Sequence, residues 1–199
     1  MPVYSTTLFS LFRMNKKKVP NKEIFLGSMS NSDAYAIGID QSYKGFAIVA
    51  INKDGSEYKA WHLSTDKIPD PVERLIYIRT WVNTRLDEFH TSKSIVMEGY
   101  GYASQVGFML GELGGMVKMA ITDKTGVPPY ICSPNQLKKY VAGSGTVAKN
   151  TMLMRVYKRW GVEFALDDLA DAYGLARIAA GFADTAPERL IVEAVKSSI

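Results

Sequence analysis

Cysteine is nearly absent from this sequence: Cys132 stands alone among 199 residues. A single thiol excludes an internal disulfide framework and any all-cysteine metal site. Histidine is almost as scarce, and His62 and His90 sit at no spacing that pairs metal ligands. Both read as structural or surface residues, and no nucleophilic triad is apparent. No apolar run is long enough to span a bilayer, so the sequence argues against a membrane setting. Internal repeats and low-complexity tracts are missing, as is the Gly-Lys-Ser/Thr ending of a P-loop.

Charge carries little bulk signal. The net +4 is concentrated in residues 1–28, which hold five Lys and Arg against one acidic residue, whereas residues 29–199 hold 19 of each sign. Affinity for nucleic acid must therefore come from local patches. Residues 1–33 show no clear structural period. Their cationic run, Lys16-Lys17-Lys18, follows an apolar stretch instead of preceding it, which is the wrong order for a secretory signal. An organelle-targeting role for residues 1–28 fits poorly, with Arg13 their one arginine. Gly27-Ser28 before Met29 also resembles an engineered junction. The expectation is an N-terminal extension over 1–33 outside the core, a domain over 34–181, and a helical tail over 182–199.

Apolar residues make up 47% of the chain, enough for one domain with a full core. Alternation and β-branched residues predict strands at 35–39, 46–51, 58–63, 93–97 and 127–132. Periodicity near 3.6 predicts helices at 71–89, 105–121, 135–141, 148–160, 166–180 and 187–197. Gly181 is a natural C-cap for the fifth of these. This order argues for an α/β fold, a mixed five-stranded sheet with helices on its faces. The second helix carries Gly107, Gly111 and Gly115 at small-xxx-small spacing. Glycine costs a helix about 1 kcal/mol each relative to alanine, so a close packing partner is expected, within the domain or across a dimer.

Four carboxylates carry the chemical argument. Asp40 and Glu98 each end an apolar strand, where a charged residue needs a reason. If those strands are neighbours, both side chains lie at one edge of the same face. Asp168 and Asp171, three apart, share one face of a helix. Asp167 as N-cap and Asp168 in the first turn have an ordinary explanation in the helix dipole; Asp171 does not. Anions clustered without a cation disfavour one another's ionisation, and a hard divalent cation resolves the conflict. Oxygen-only ligation points to magnesium or manganese over zinc. Two such ions can hold a scissile phosphate between them.

A basic side accompanies them. Lys138 and Lys139 precede Gly143-Ser144-Gly145, Lys149 follows it, and Arg155, Lys158 and Arg159 extend along the next helix. The glycine turn, with Ser144 at its centre, offers backbone N–H groups that a phosphate can approach. Tyr100 and Tyr102, just after Glu98, are candidates for stacking on bases or for a lid.

With these residues in hand, the chain resembles the RuvC family of Holliday junction resolvases, in the ribonuclease H-like superfamily. Gly38-Ile39-Asp40-Gln41-Ser42 is similar to the family's first motif and Ile95-Val96-Met97-Glu98 to its second. The third runs from Pro134-Asn135-Gln136-Leu137-Lys138 through Gly143-Ser144-Gly145 to Ala148-Lys149. Asp168-Leu169-Ala170-Asp171-Ala172 matches the terminal helix, so the resemblance covers about residues 34–181. It implies that Asp40, Glu98, Asp168 and Asp171 bind two Mg2+ ions per active site, with Mn2+ able to substitute. Lys138 and Lys149 would stand near the scissile phosphate, both counted among the catalytic residues. Tyr100, Tyr102, Lys138, Lys139, Ser144, Lys149, Arg155 and Lys158 would meet DNA. The resemblance further implies a homodimer cutting four-way junctions symmetrically inside the cell. The tyrosines after Glu98 depart from bacterial members, and a phage-type or divergent enzyme working in a host cytoplasm, with tolerance for other branched DNA, fits that departure. Rival readings are an RNA–DNA hybrid or transposase-like nuclease, a non-catalytic junction-binding protein, and an actin-like ATPase or sugar kinase sharing only the first hairpin.

Overall fold

The computed structural model describes residues 23–89, 94–100, 107–147 and 149–198, with backbone alone at positions 31, 149 and 150. Six strands form one sheet: β1 (Glu23–Gly27), β2 (Ala36–Asp40), β3 (Gly45–Ile51), β4 (Tyr58–Ser64), β5 (Ser94–Glu98) and β6 (Tyr130–Cys132). Their order across the sheet is β1-β4-β3-β2-β5-β6. Pairing is antiparallel from β1 to β2 and parallel from β2 through β5 to β6. The helices are α1 (Pro71–Asp87), α2 (Gly107–Thr125), α3 (Pro134–Ala142), α4 (Lys149–Trp160), α5 (Asp167–Ala180) and α6 (Ala186–Lys196).

The sheet has one strand more than the five expected. Glu23–Gly27 belongs to it, paired in register with β4 from Glu23↔Leu63 to Gly27↔Lys59. Trp81 Nε1 on α1 donates to Glu23 Oε1 at 3.0 Å, and Met29 is fully buried under the same layer. The edge of the core thus lies ahead of residue 34. The signal in EIFLG is weak because only its alternate residues are half-buried, as suits an edge strand.

Alternation along the strands separates two layers. Ile37 and Ile39 of β2, Ile95 and Met97 of β5, and Trp61 and Leu63 of β4 face α1 and α2. Ala36, Ala47, Val49, Ala60 and Val96 face the opposite layer, where α5 lies on β2, β3 and β5 with α3, α4 and α6 around it. Residues on this second face are small, and so are Ala170, Ala172, Gly174 and Ala176 of α5, all buried. Small against small lets helix and sheet approach at backbone distance: a β-carbon on Gly38 would overlap the Ala172 carbonyl oxygen and the Ala176 amide nitrogen. The helix runs antiparallel to β2, and Ser94 Oγ pins its far end by donating to the Ala179 carbonyl.

Local signals set the helix ends. Asp70 caps α1 by accepting from Glu73 N at 2.8 Å, and Pro71 opens the first turn. Ser133 and Gln136 form a capping box on α3, which ends on Gly143 at φ 78°. α5 starts differently: Leu166 occupies the N-cap position without a side-chain bond, and Asp167 is inside the first turn instead of capping it. No helix among the described residues is long and apolar enough to cross a membrane.

Candidate active site

The two-residue period that puts Gly38 under α5 also puts Asp40 on that face, at the end of β2. On β5, Val96 faces α5, so Glu98 does as well. Because β2 and β5 are parallel neighbours with Ile39 opposite Met97, the two carboxylates emerge side by side. α5 brings Asp168 and Asp171 over the same strand end, and all four line one cleft. The arrangement expected from the sequence is therefore present, and its cause is the close seat of α5 on β2.

Asp40 is 5% exposed, and its carboxyl is held well above the usual carboxylate range. Burial is the largest cause, followed by the charges of Glu98, Asp171 and Asp168 and a hydrogen bond shared with Glu98. Gln41, next in the chain, donates from Nε2 to the Glu98 backbone carbonyl at 2.7 Å and ties the two strand ends together. Gly99 N continues the ladder by donating to Cys132 O at 2.7 Å. Asp168 Oδ2 lies 3.0 Å from His62 Nε2, on β4 two strands away. Among the described residues, no three His, Cys, Asp or Glu side chains form a ready-made cage for an ion. The donor set nonetheless suits a hard divalent cation: oxygen ligands only, one of them buried and crowded by three like charges.

The other expected residues divide. Lys138 is half-buried and lines the cleft, opposite in sign to the carboxylates. Lys139, Ser144, Arg155 and Lys158 are exposed on α3, its following turn and α4, and none of them lines the cleft. Tyr100 packs against α2, where a β-carbon on Gly114 would lie 3.2 Å from its ring, with the Lys118 ammonium 5.9 Å from the ring centroid. Tyr102 lies outside the described residues, as do His90 and the side chain of Lys149, whose backbone opens α4.

Sequence reasoning missed three groups at this site. Lys44 and Arg74 line the cleft on the side of the β2–β3 turn. Arg74 lies one turn before buried Ile78 on α1, and an arginine on that apolar face was the available signal. Its guanidinium donates to the Ile68 carbonyl and sits 4.9 Å over the Tyr43 ring. His62, read as structural or surface, is buried and in contact with a carboxylate of the cleft. The signal there was a polar residue between Trp61 and Leu63 in a strand otherwise buried on both sides.

Comparison with solved structures agrees with this architecture, which is that of the ribonuclease H-like superfamily. More narrowly, the chain is a structural homologue of the RuvC Holliday-junction resolvases. It is 25% identical to Thermus thermophilus RuvC, with a TM-score of 0.57 over 73% of this chain and 91% of that one. The same T. thermophilus protein in complex with a Holliday junction substrate matches at 24% identity and a TM-score of 0.59, covering 74% and 93% of the two chains. No protein-family model and no curated protein matches the sequence.

Proposed function

We propose that this protein is a magnesium-dependent endonuclease for branched DNA, four-way junctions foremost. The observation that carries the reading is the convergence of Asp40, Glu98, Asp168 and Asp171 from three elements into one cleft of a RuvC-like fold. Asp40 is the anchor, because its burial among three anions holds its carboxyl well above the usual range, a conflict that bound positive charge would relieve. Glu98 and Asp171 complete the ligand set, and Asp168 holds a cation or orients water. Two bound Mg2+ ions, or Mn2+ in their place, would activate water and stabilise charge on the leaving 3′ oxygen.

The chain's own groups handle the substrate. Lys138 on one wall and Lys44 and Arg74 on the other give a phosphate backbone positive partners on either side of the carboxylates. Lys139, Arg155 and Lys158 extend that positive surface beyond the cleft, the turn at Ser144 offers backbone N–H groups, and Lys149, Tyr100 and Tyr102 remain candidates for DNA contacts. Selectivity comes from shape: a compact junction holds its arms in a fixed arrangement that two related sites can span.

Two sites call for two copies, and the outer face of α2 suits one. Phe108 is 80% exposed and Met119 69%, and no described residue lies where a β-carbon on Gly107 or Gly115 would stand. Among the described residues, the glycine spacing expected to pack closely therefore meets no partner at these two, whereas Gly114 packs on Gln41 and Tyr100. A homodimer through this face would cover Phe108 and Met119 and pack on the glycines. An enzyme of this kind works inside the cell, wherever branched DNA arises.

The class of substrate is tested by offering a four-way junction, linear duplex and RNA–DNA hybrid at matched salt, with magnesium or with chelator. Preferential, magnesium-dependent cutting of the junction supports the reading. Preference for the hybrid points to the related nuclease class, and binding without cutting points to a junction-binding protein.

A further inference from the structure

The strand carrying His62 alternates, sending Trp61 and Leu63 into one layer and the imidazole into the other, against α5. There it is 7% exposed, with Nε2 3.0 Å from Asp168 Oδ2. A carboxylate accepts and does not donate, so this contact places the imidazole proton on Nε2. Nδ1 is buried with no hydrogen-bond partner among the described residues. Among the described residues, the ring's polar contact is thus with Asp168.

Reaching Asp168 means passing over β3, and the sequence leaves a gap for it. Gly45 faces α5 at the start of β3. A β-carbon there would overlap Asp168 Oδ2 and lie 2.8 Å from His62 Nε2. Its φ is not positive, so conformational freedom does not explain the glycine; space for the contact does. Asp168 stands in the first turn of α5, where Leu166 at the N-cap makes no side-chain bond. The sheet adds a contact of its own, from His62 Nε2 at 3.0 Å.

We propose that His62 is a positioning residue that fixes the orientation of Asp168 in the cleft, with Gly45 as the space that admits the contact. The proposal rests on the reading of Asp168 as a cation ligand. A ligand carboxylate held by a hydrogen bond from behind has fewer orientations to lose when the cation binds, and it keeps one oxygen engaged while the rest of the group faces the cleft.

The test is Mn2+ binding to the full chain, followed by electron paramagnetic resonance, in the parent and in four variants that retain cooperative thermal unfolding. Removal of such an outer hydrogen bond should weaken the tightest binding about 10–100-fold in His62→Leu. Gly45→Ala should weaken it comparably, by wedging the pair apart with the imidazole intact. His62→Gln, whose amide can donate from a similar place, should stay within about threefold of the parent. Junction cleavage should fall with affinity and recover at excess Mn2+. Asp168→Asn is the control for the underlying reading. If Asp168→Asn weakens binding while His62→Leu and Gly45→Ala leave it unchanged, the positioning role is wrong and the carboxylate site stands. If Asp168→Asn also leaves binding unchanged, Asp168 is no ligand and both fall. Should His62→Leu fail to fold, Gly45→Ala and His62→Gln decide the question by the same criteria.

Discussion

Gly38 and Ala172 meet with no room between them: a β-carbon on the glycine would overlap the alanine's carbonyl oxygen. That contact brings β2 and α5 together as bare backbones, and it sets the distance between the carboxylates each carries. Asp40 lies two residues beyond Gly38, and Asp168 one turn before Ala172. Gly38→Ala should therefore lift α5, costing about 1–3 kcal/mol or more through overpacking. Urea unfolding measures it. A loss below about 0.5 kcal/mol, the range of ordinary surface changes, would contradict this seat for the helix.

Asp40 gives a pH-dependent prediction. Its carboxyl is raised in the folded protein, first by burial and then by Glu98, Asp171 and Asp168. The folded state thus holds that proton more tightly than the unfolded state does. Its contribution is complete below the ordinary aspartate range and is lost as pH rises through the folded pKa. Near neutral pH in chelator, Asp40→Asn should melt higher than the parent, at roughly 2–4 °C per kcal/mol for a chain of this size. The difference should shrink toward about pH 4 as both states take up the proton. Saturating Mg2+ should stabilise the parent and not the variant, because a ligand stabilises only the state that binds it. A parent that melts above Asp40→Asn in chelator at neutral pH would contradict the electrostatic picture.

The N-terminal strand should be needed for stability. A chain beginning at Ala34 loses β1, the Trp81–Glu23 bond and buried Met29. Removing a buried methionine alone costs about 2–5 kcal/mol. Thermal melting of that shortened chain against the full one should show at least this loss, and equal melting temperatures would return residues 23–33 to the status of an appendage.

Self-association should run through α2. A charge introduced by Met119→Glu sits on the exposed face beside Gly115 and away from the core. Sedimentation should show the parent as a dimer at micromolar concentration and the variant as a monomer with unchanged melting. A monomeric parent, or an unaffected dimer, would place the second copy elsewhere or remove it.

Much of this arrangement was legible in the sequence because it rests on local periods. The strands carrying Asp40 and Glu98, and the helix carrying Asp168 and Asp171, follow from alternation and from 3.6-residue spacing. The first strand was not legible: EIFLG is short, lies at an edge and earns its place by pairing with a distant segment. His62 was legible only as a polar residue on a buried strand, since nothing local says that Asp168, 106 positions on, is its partner. The basic residues show the opposite failure. Spacing placed Arg155 and Lys158 on one helix with no means of telling that they miss the cleft, whereas Lys44 and Arg74 line it.

The most direct test is cleavage of a mobile four-way junction by the parent and by Asp40→Asn, with products mapped on each strand and junction binding measured in parallel. The account predicts paired, symmetric cuts by the parent in magnesium. For Asp40→Asn it predicts a rate loss of about 100-fold or more, equivalent to about 3 kcal/mol of lost transition-state stabilisation, with binding retained. Equal cutting by both proteins, or no magnesium-dependent cutting by the parent, would contradict it.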